Sequence, residues 1–297
     1  MSGVRDVMIG GDKKLQIREF KLDSMVENPA IVMIAKRASG KSWICRDILR
    51  NFKDIPVGLI IAPTEKMSDP PFYSDFFPDS YIHYQYKSEI IERMLYRQDV
   101  MIEKQKEKAK EGKILDPRGF ILMDDCLSKK SSWMKDQPIM ELLFNGRHYR
   151  LMYILTMQFP LGITPELRCN FDYIFLLAED FYSNLKRLFD HYAGMFPTFD
   201  SFRTVFNVVT QDFGCMVIVN RGARSSFTDK IFWFKASNQN IGMIGCKQFI
   251  EYHNNNYDDL WKKKNKKFDI MDLCGKKTAA NDKTLMVEKI NDKKKQD

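Results

Sequence analysis

The sequence predicts an α/β protein: a mostly parallel central sheet, buried on both faces by helices, and lengthened by an antiparallel hairpin near the C-terminus. Three observations predict it. Short apolar runs such as Ile31–Ile34, Val57–Ala62 and Gly119–Met123 recur along the chain with helical periods between them, the pattern of parallel strands covered on both sides. One of these runs leads into a small-residue loop, Ala35-Lys36-Arg37-Ala38-Ser39-Gly40-Lys41-Ser42, and then into a helix beginning at Trp43. Two late strands, Cys215–Asn220 and Lys230–Lys235, flank Arg221-Gly222-Ala223-Arg224, which reads as a hairpin extending the sheet.

Taken in order, the elements follow from period and punctuation. Met1–Leu22 contains one candidate strand, Leu15–Phe20, with alternating polarity. Pro29-Ala30 leads into the loop-bearing strand, and the helix after the loop places Ile44, Ile48, Leu49 and Phe52 at core spacing. Val57–Ala62 is a second buried strand, stopped by Pro63, and Pro70–Pro78 is rich in loop signals. Ile90–Lys113 reads as a long helix whose second half is polar all round, a solvated face rather than a docking surface. Gly119–Asp125 is the next strand, and Pro138–His148 a helix with Met140, Leu143 and Phe144 on one face. Leu151–Met157 and Phe171–Leu177 are two further strands, followed by helices over Phe181–Tyr192 and Thr198–Val209. Beyond Ile250 the composition turns polar, and Asn254–Asp297 is expected to be largely flexible. The division that follows is 1–28 as an N-terminal strand and lead-in, 29–250 as one α/β domain built around the loop at 35–42, and 251–297 as a Lys/Asn-rich flexible tail.

The small-residue loop carries the first chemistry. Gly40 lets the backbone approach a phosphate where a Cβ would clash. Successive N–H groups from Ala38 to Ser42 would meet negative oxygens at the positive end of a helix dipole. Lys41 adds a point charge at the outer phosphates, and the Ser42 hydroxyl would ligate Mg²⁺. Residues 35–42 with Trp43 are therefore the expected nucleotide cradle. Ala35 stands where such loops usually carry Gly, and it is small enough for a tight turn.

The second motif is Phe120-Ile121-Leu122-Met123 ending in Asp124-Asp125. A buried strand holds its terminal carboxylate still, so Asp124 can meet Mg²⁺ while Asp125 polarises the attacking water as a general base. An acidic pair closing a strand at a turn is common; its place in this alternation favours the functional reading. Gln158 leaves the strand Leu151–Met157 at its carboxyl edge, where it can sense a γ-phosphate or orient water. Arg147 and Arg168, at element ends nearby, are candidates for an arginine reaching the phosphate of a neighbouring subunit.

Composition sets the limits. The 44% hydrophobic content is that of a globular chain, and no apolar run approaches a bilayer span. Met1–Lys14 has no signal-peptide apolar core, so the expected compartment is the cytosol. Six scattered cysteines without a C-x-x-C pair, and four dispersed histidines, argue against zinc or a disulfide framework. The net charge of +8 is concentrated at one end: Trp261–Asp297 holds twelve lysines and six acidic residues. The chain before Trp261 has 35 basic against 33 acidic residues, so any grip on nucleic acid is local or in the tail.

The loop, the Asp124-Asp125 strand, Asn145-Gly146-Arg147-His148, Thr156-Met157-Gln158 and Leu167-Arg168-Cys169-Asn170-Phe171-Asp172-Tyr173 occur in this order. Together they resemble the genome-packaging ATPases of nucleocytoplasmic large DNA viruses, a branch of the FtsK–HerA superfamily, over about Leu15–Ala236. The resemblance implies a P-loop NTPase of the additional-strand, RecA-like kind, a three-layer sandwich with the Gln158 strand between the phosphate-loop and Asp-Asp strands. It implies an ATP- and Mg²⁺-dependent motor, working as a homo-oligomeric ring, that moves double-stranded DNA without sequence preference into a capsid during virion assembly. Capsid or inner-membrane assembly components are the implied partners, and the host-cell cytoplasm, at the viral factory or on the virion, is the implied location. A HerA-type helicase or repair translocase, a non-hydrolysing nucleotide-binding scaffold and a small-molecule kinase are the alternatives; no arginine-rich lid favours the last.

Overall fold

The computed structural model describes residues 3–9, 13–126, 136–223 and 226–258. The expected tail beyond Asp258 and Arg224 of the hairpin turn lie outside the described residues. Six parallel strands make the body of an eight-stranded sheet: β3 (Ala30–Ile34), β4 (Val57–Ile61), β5 (Ile82–His83), β6 (Gly119–Met123), β7 (Leu151–Met157) and β8 (Tyr173–Leu177). β9 (Gly214–Val219) runs antiparallel to β8, and β10 (Ile231–Lys235) pairs antiparallel with β9. The spatial order is β10-β9-β8-β3-β7-β6-β4-β5. The Gln158 strand thus lies between the phosphate-loop and Asp-Asp strands, and the hairpin extends the sheet, both as the sequence implied. This is the architecture of a RecA-like P-loop NTPase sandwich.

Among the described residues seven helices connect or close the sheet: α1 (Lys41–Asn51), α2 (Ser88–Lys110), α3 (Gln137–Asn145), the one-turn α4 (Pro165–Arg168), α5 (Tyr182–Tyr192), α6 (Phe199–Val209) and α7 (Lys247–Asn256). The long parallel strands are almost wholly apolar because both faces are buried, and successive side chains divide between two cores. Val32 and Ile34 of β3 join Ile121, Met123, Leu155 and the helices α2, α3, α5 and α6. Ile31 and Met33 join Phe120, Leu122, Ile154, α1 and an aromatic loop of Tyr73, Phe76 and Phe77. Phe249 of α7 stacks on Tyr81 at 4.0 Å and meets Phe77 at 5.8 Å, closing that second face.

The structure departs from the expected elements where local signals were short or mixed. The N-terminal region holds two strands, β1 (Val4–Ile9) and β2 (Lys13–Arg18), paired antiparallel, where one was expected. In β1, Arg5 and Asp6 interrupt any clean alternation, and Val7 is fully buried. The buried stripe of α3 is Ile139, Leu142 and Leu143, while Phe144, expected on that face, is exposed. The last helix runs to Asn256, so the boundary read at 250 falls inside α7, and residues 254–256 are helical. Among the described residues no helix is long and apolar enough to cross a membrane.

Candidate functional site

The parallel strands β3, β7 and β6 are neighbours and deliver three loops to one edge of the sheet. The loop 35–40 leaves β3, Asp124 and Asp125 leave β6, and Gln158 leaves β7. Ala35 continues the ladder, its N–H donating to the Met157 carbonyl at 3.0 Å. Left-handed backbone falls instead at Ala38 (φ 58°) and Gly40 (φ 91°), so the Ala at position 35 needs no unusual conformation and fits without strain. Ser39 is buried and donates its hydroxyl to the Lys36 carbonyl at 2.7 Å, closing the turn. Lys36 pairs with Asp180 in the loop after β8, while Arg37 points outward and Trp43 is 40% exposed.

Gly40 caps α1 and Lys41 is its first residue, which aims the Lys41 ammonium at the acidic pair. Its Nζ lies 3.0 Å from Asp124 Oδ1 and forms a second, shorter ion pair with Asp125 Oδ2. Burial alone would lower the Lys41 pKa, but the two carboxylates outweigh it and hold the ammonium above its ordinary 10.5. Asp124 is 3% exposed, and each of its carboxylate oxygens meets a donor. The Tyr73 phenol donates to Oδ2 at 2.8 Å, and the Thr156 hydroxyl donates to Oδ1 at 2.6 Å. Thr156 also accepts the Asp125 N–H at 3.1 Å, tying the two acidic residues to β7. Gln158 Nε2 donates to Asp125 Oδ2 at 2.9 Å. Asp125 itself sits in left-handed backbone at φ 48°, held there by these contacts.

Lys41, Ser42, Asp124, Asp125 and Gln158 are therefore brought together. Arg147 and Arg168 are not. Arg147 follows α3 and precedes β7, at the opposite edge of the sheet, and is exposed. Arg168 is occupied within its own chain: Nε donates to the Ile163 carbonyl at 3.1 Å, Nη1 meets His191 Nδ1 at 2.9 Å, and the guanidinium lies 5.2 Å from the Tyr192 ring centre.

Two participants escaped sequence reasoning as site residues. Thr156 is a polar side chain with no exposure, on the same face of β7 as Met152 and Ile154; its place within an otherwise apolar strand was the available signal. Tyr73 comes from the loop-rich stretch 70–78, whose aromatic density was the signal of a packed segment. Its backbone N–H and that of Ser74 are gripped by the buried Glu65 carboxylate at 2.7 and 3.1 Å. Burial, reinforced by Asp124, pushes the Tyr73 phenol well above its usual range, so it stays a donor. The Ser42 hydroxyl lies within its reach as well, so Tyr73 links the two residues assigned to Mg²⁺. The cavity in front of this cluster has a volume of about 680 Å³, within the range of small-molecule sites.

No family model matches the chain. Protein L437 of Acanthamoeba polyphaga mimivirus is 50% identical over 245 residues, covering 82% of this chain and 85% of that protein. The chain belongs to the L437 family. A second member, protein 088R of Invertebrate iridescent virus 3, is 31% identical over 254 residues, 80% of this chain and 93% of the relative. The L437 family is thus found in nucleocytoplasmic large DNA viruses, the group to which the motifs pointed. Among solved structures, the genome packaging NTPase B204 from Sulfolobus turreted icosahedral virus 2, in complex with sulfate, is similar at 16% identity. The match has a TM-score of 0.49 and covers 73% of this chain and all of that one. At that distance the likeness is one of outline.

Proposed function

We propose that this L437-family protein is a Mg²⁺-dependent ATPase that drives double-stranded DNA into the capsid during virion assembly. The observation that carries the reading is the Lys41 ammonium, fixed at the start of α1 between the carboxylates of Asp124 and Asp125. A phosphate-loop lysine, a buried strand-end Asp and a second Asp beside Gln158 are the parts that phosphoryl transfer to water requires. The amides of Ala38–Ser42 and Lys41 hold the phosphates. Asp125 takes the proton of the attacking water, and Gln158, bonded to the same carboxylate oxygen, orients it.

Ser42 and Asp124 would hold Mg²⁺, whose charge offsets that building on the phosphoryl oxygens. The donor set fits. Asp125 Oδ1 is buried and has no hydrogen-bond partner among the described residues, so an acceptor oxygen is left over beside Asp124 for a water bound to the ion or poised for attack. Among the described residues no group of three or more His, Cys, Asp or Glu could hold a metal alone. That suits an ion bound by one or two carboxylates together with substrate phosphates. In this reading the protein acts as a homo-oligomeric ring in the infected cell's cytoplasm, with Arg147 as the residue free to reach a neighbour's phosphates. DNA contact is to phosphates and sensitive to salt.

The test is steady-state ATP hydrolysis with and without long duplex DNA at several salt concentrations. Stimulation by DNA, stronger at low salt, and a loss of about a hundredfold or more in Lys41→Ala are expected. Absence of hydrolysis with DNA and Mg²⁺ present would hand the site to a nucleotide-binding scaffold. Loss of genome-filled particles when the protein is depleted during infection separates packaging from repair.

A further inference from the structure

The cavity holds one aromatic residue that the phosphate chemistry does not use. Phe213 lies between α6 and β9, lines the cavity and is 65% exposed. Both it and Asp212 have left-handed backbone, at φ 61° and 53°. Such backbone is unfavourable for a residue with a Cβ, and two in a row persist only where surrounding contacts over-determine them. Here they do. Arg5 Nη1 donates to the carbonyls of Val208 and Val209 at 2.8 and 3.0 Å, and the Thr210 hydroxyl donates to the Phe206 carbonyl at 2.7 Å. Gly214 completes the turn at a position where any Cβ would overlap the Val209 carbonyl. The result is a large apolar ring held in the open beside Gly40. Its Cβ and Cδ1 stand 3.6 Å from where a Cβ on Gly40 would be.

Packing does not account for it. Two other aromatic residues, Trp43 and Phe72, line the same cavity, and they are engaged with one another at 5.6 Å and 72°. The Arg46 guanidinium covers the indole at 5.2 Å. Phe213 has no aromatic or cation partner among the described residues. Because β9 runs against β8 and β10 against β9, the start of β9 and the end of β10 both open at the phosphate-loop edge. The segment leaving β10 therefore forms another part of the cavity wall. It is anchored to α1, since the buried Asp47 carboxylate accepts the Ser237 N–H at 2.6 Å and the Ser237 hydroxyl at 2.9 Å. Asn238, next along, lines the cavity and is exposed. Its amide offers both a donor and an acceptor.

We propose that Phe213 and Asn238 form the nucleobase subsite: the ring stacks on a purine whose triphosphate lies at Lys41, and the Asn238 amide reads the base edge. A flat π-face suits an unpartnered aromatic ring, and an amide can discriminate adenine from guanine, whose edges exchange donor for acceptor. This deepens the nucleotide reading of the same cavity and rests on it.

The test is calorimetric titration of the full chain, with Mg²⁺, by ATP, GTP and inorganic tripolyphosphate. Phe213→Ala is expected to weaken ATP binding about tenfold and leave tripolyphosphate binding unchanged. Phe213→Trp is expected to keep ATP binding, and Asn238→Ala to bring the ATP and GTP affinities together. Equal ATP affinity in wild type and Phe213→Ala overturns the subsite and leaves the triphosphate site standing. Parallel loss of ATP and tripolyphosphate in Phe213→Ala also overturns it, because the ring then only shapes the loop. Failure of the wild type to bind either ATP or tripolyphosphate overturns the subsite and the nucleotide reading together.

Discussion

Thr156 is wholly buried at the end of β7, and its hydroxyl performs two tasks at once. It donates to Asp124 Oδ1 at 2.6 Å and accepts the Asp125 N–H at 3.1 Å. Thr156→Val replaces that hydroxyl with a methyl of nearly the same size. The lost hydrogen bond is to a carboxylate and is worth about 1.5–3 kcal/mol. The Asp125 N–H is only partly buried and regains some water, adding about 1 kcal/mol. The new methyl returns about 0.8 kcal/mol of apolar burial. The net expectation is a loss of about 2–3 kcal/mol, or roughly 5–10 °C in Tm for a domain of this size. Urea denaturation at pH 7, with Thr156→Ser alongside, reads it directly. The serine variant keeps both hydrogen bonds and loses one methyl, about 1 kcal/mol. A valine variant as stable as the serine variant would refute the argument that this hydroxyl holds the acidic pair.

Gly58→Ala is expected to destabilise by about 1–3 kcal/mol in the same assay, because its Cβ would overlap the buried Phe120 ring; Phe120→Leu in the same chain should recover part of the loss. Burial, and then Lys87, hold the His83 pKa below its ordinary 6.5, so the unfolded chain takes up the proton first as the pH falls. Stability from this residue is complete above pH 6.5 and drains away below it, and His83→Gln should flatten the slope of stability against pH below 6.5. Arg147→Ala should leave the melting temperature unchanged and lower DNA-stimulated hydrolysis, while Arg168→Ala should lower the melting temperature by stripping the Ile163 carbonyl and Tyr192 of their partner. The opposite pattern would exchange the two roles.

The sheet was legible because buried parallel strands write themselves as unbroken apolar runs, and all five long ones fall where those runs lie. The loop and the acidic strand end were legible because each is a local pattern whose chemistry is carried by adjacent residues. Tyr73 was not, because its role arises from a contact across 51 positions, with no local period to mark it. Thr156 shows the intermediate case: a hydroxyl in an apolar strand is conspicuous, but only the register of β7 against β3 and β6 reveals that it meets Asp124. β1 and β5 were missed for a simpler reason. The first mixes charge into its pattern, and the second is two residues long.

Backbone conformation locates the same cavity without reference to charge. Among the described residues five non-glycine residues have positive φ: Ala38, Asp125, Arg150, Asp212 and Phe213. Ala38, Asp125 and Phe213 line the cavity, and Asp212 adjoins it; Arg150, at the turn into β7, is the exception. Each left-handed residue costs roughly 1–2 kcal/mol, and nothing in the packing of the sheet requires four of them at one edge. The acidic pair and Lys41 add buried charge at the same edge, which a fold selected for stability alone would replace with apolar side chains. Strain and enclosed charge converge on the loop between β3 and α1, the place the proposed nucleotide would occupy, which is where a fold keeps features that packing alone does not require.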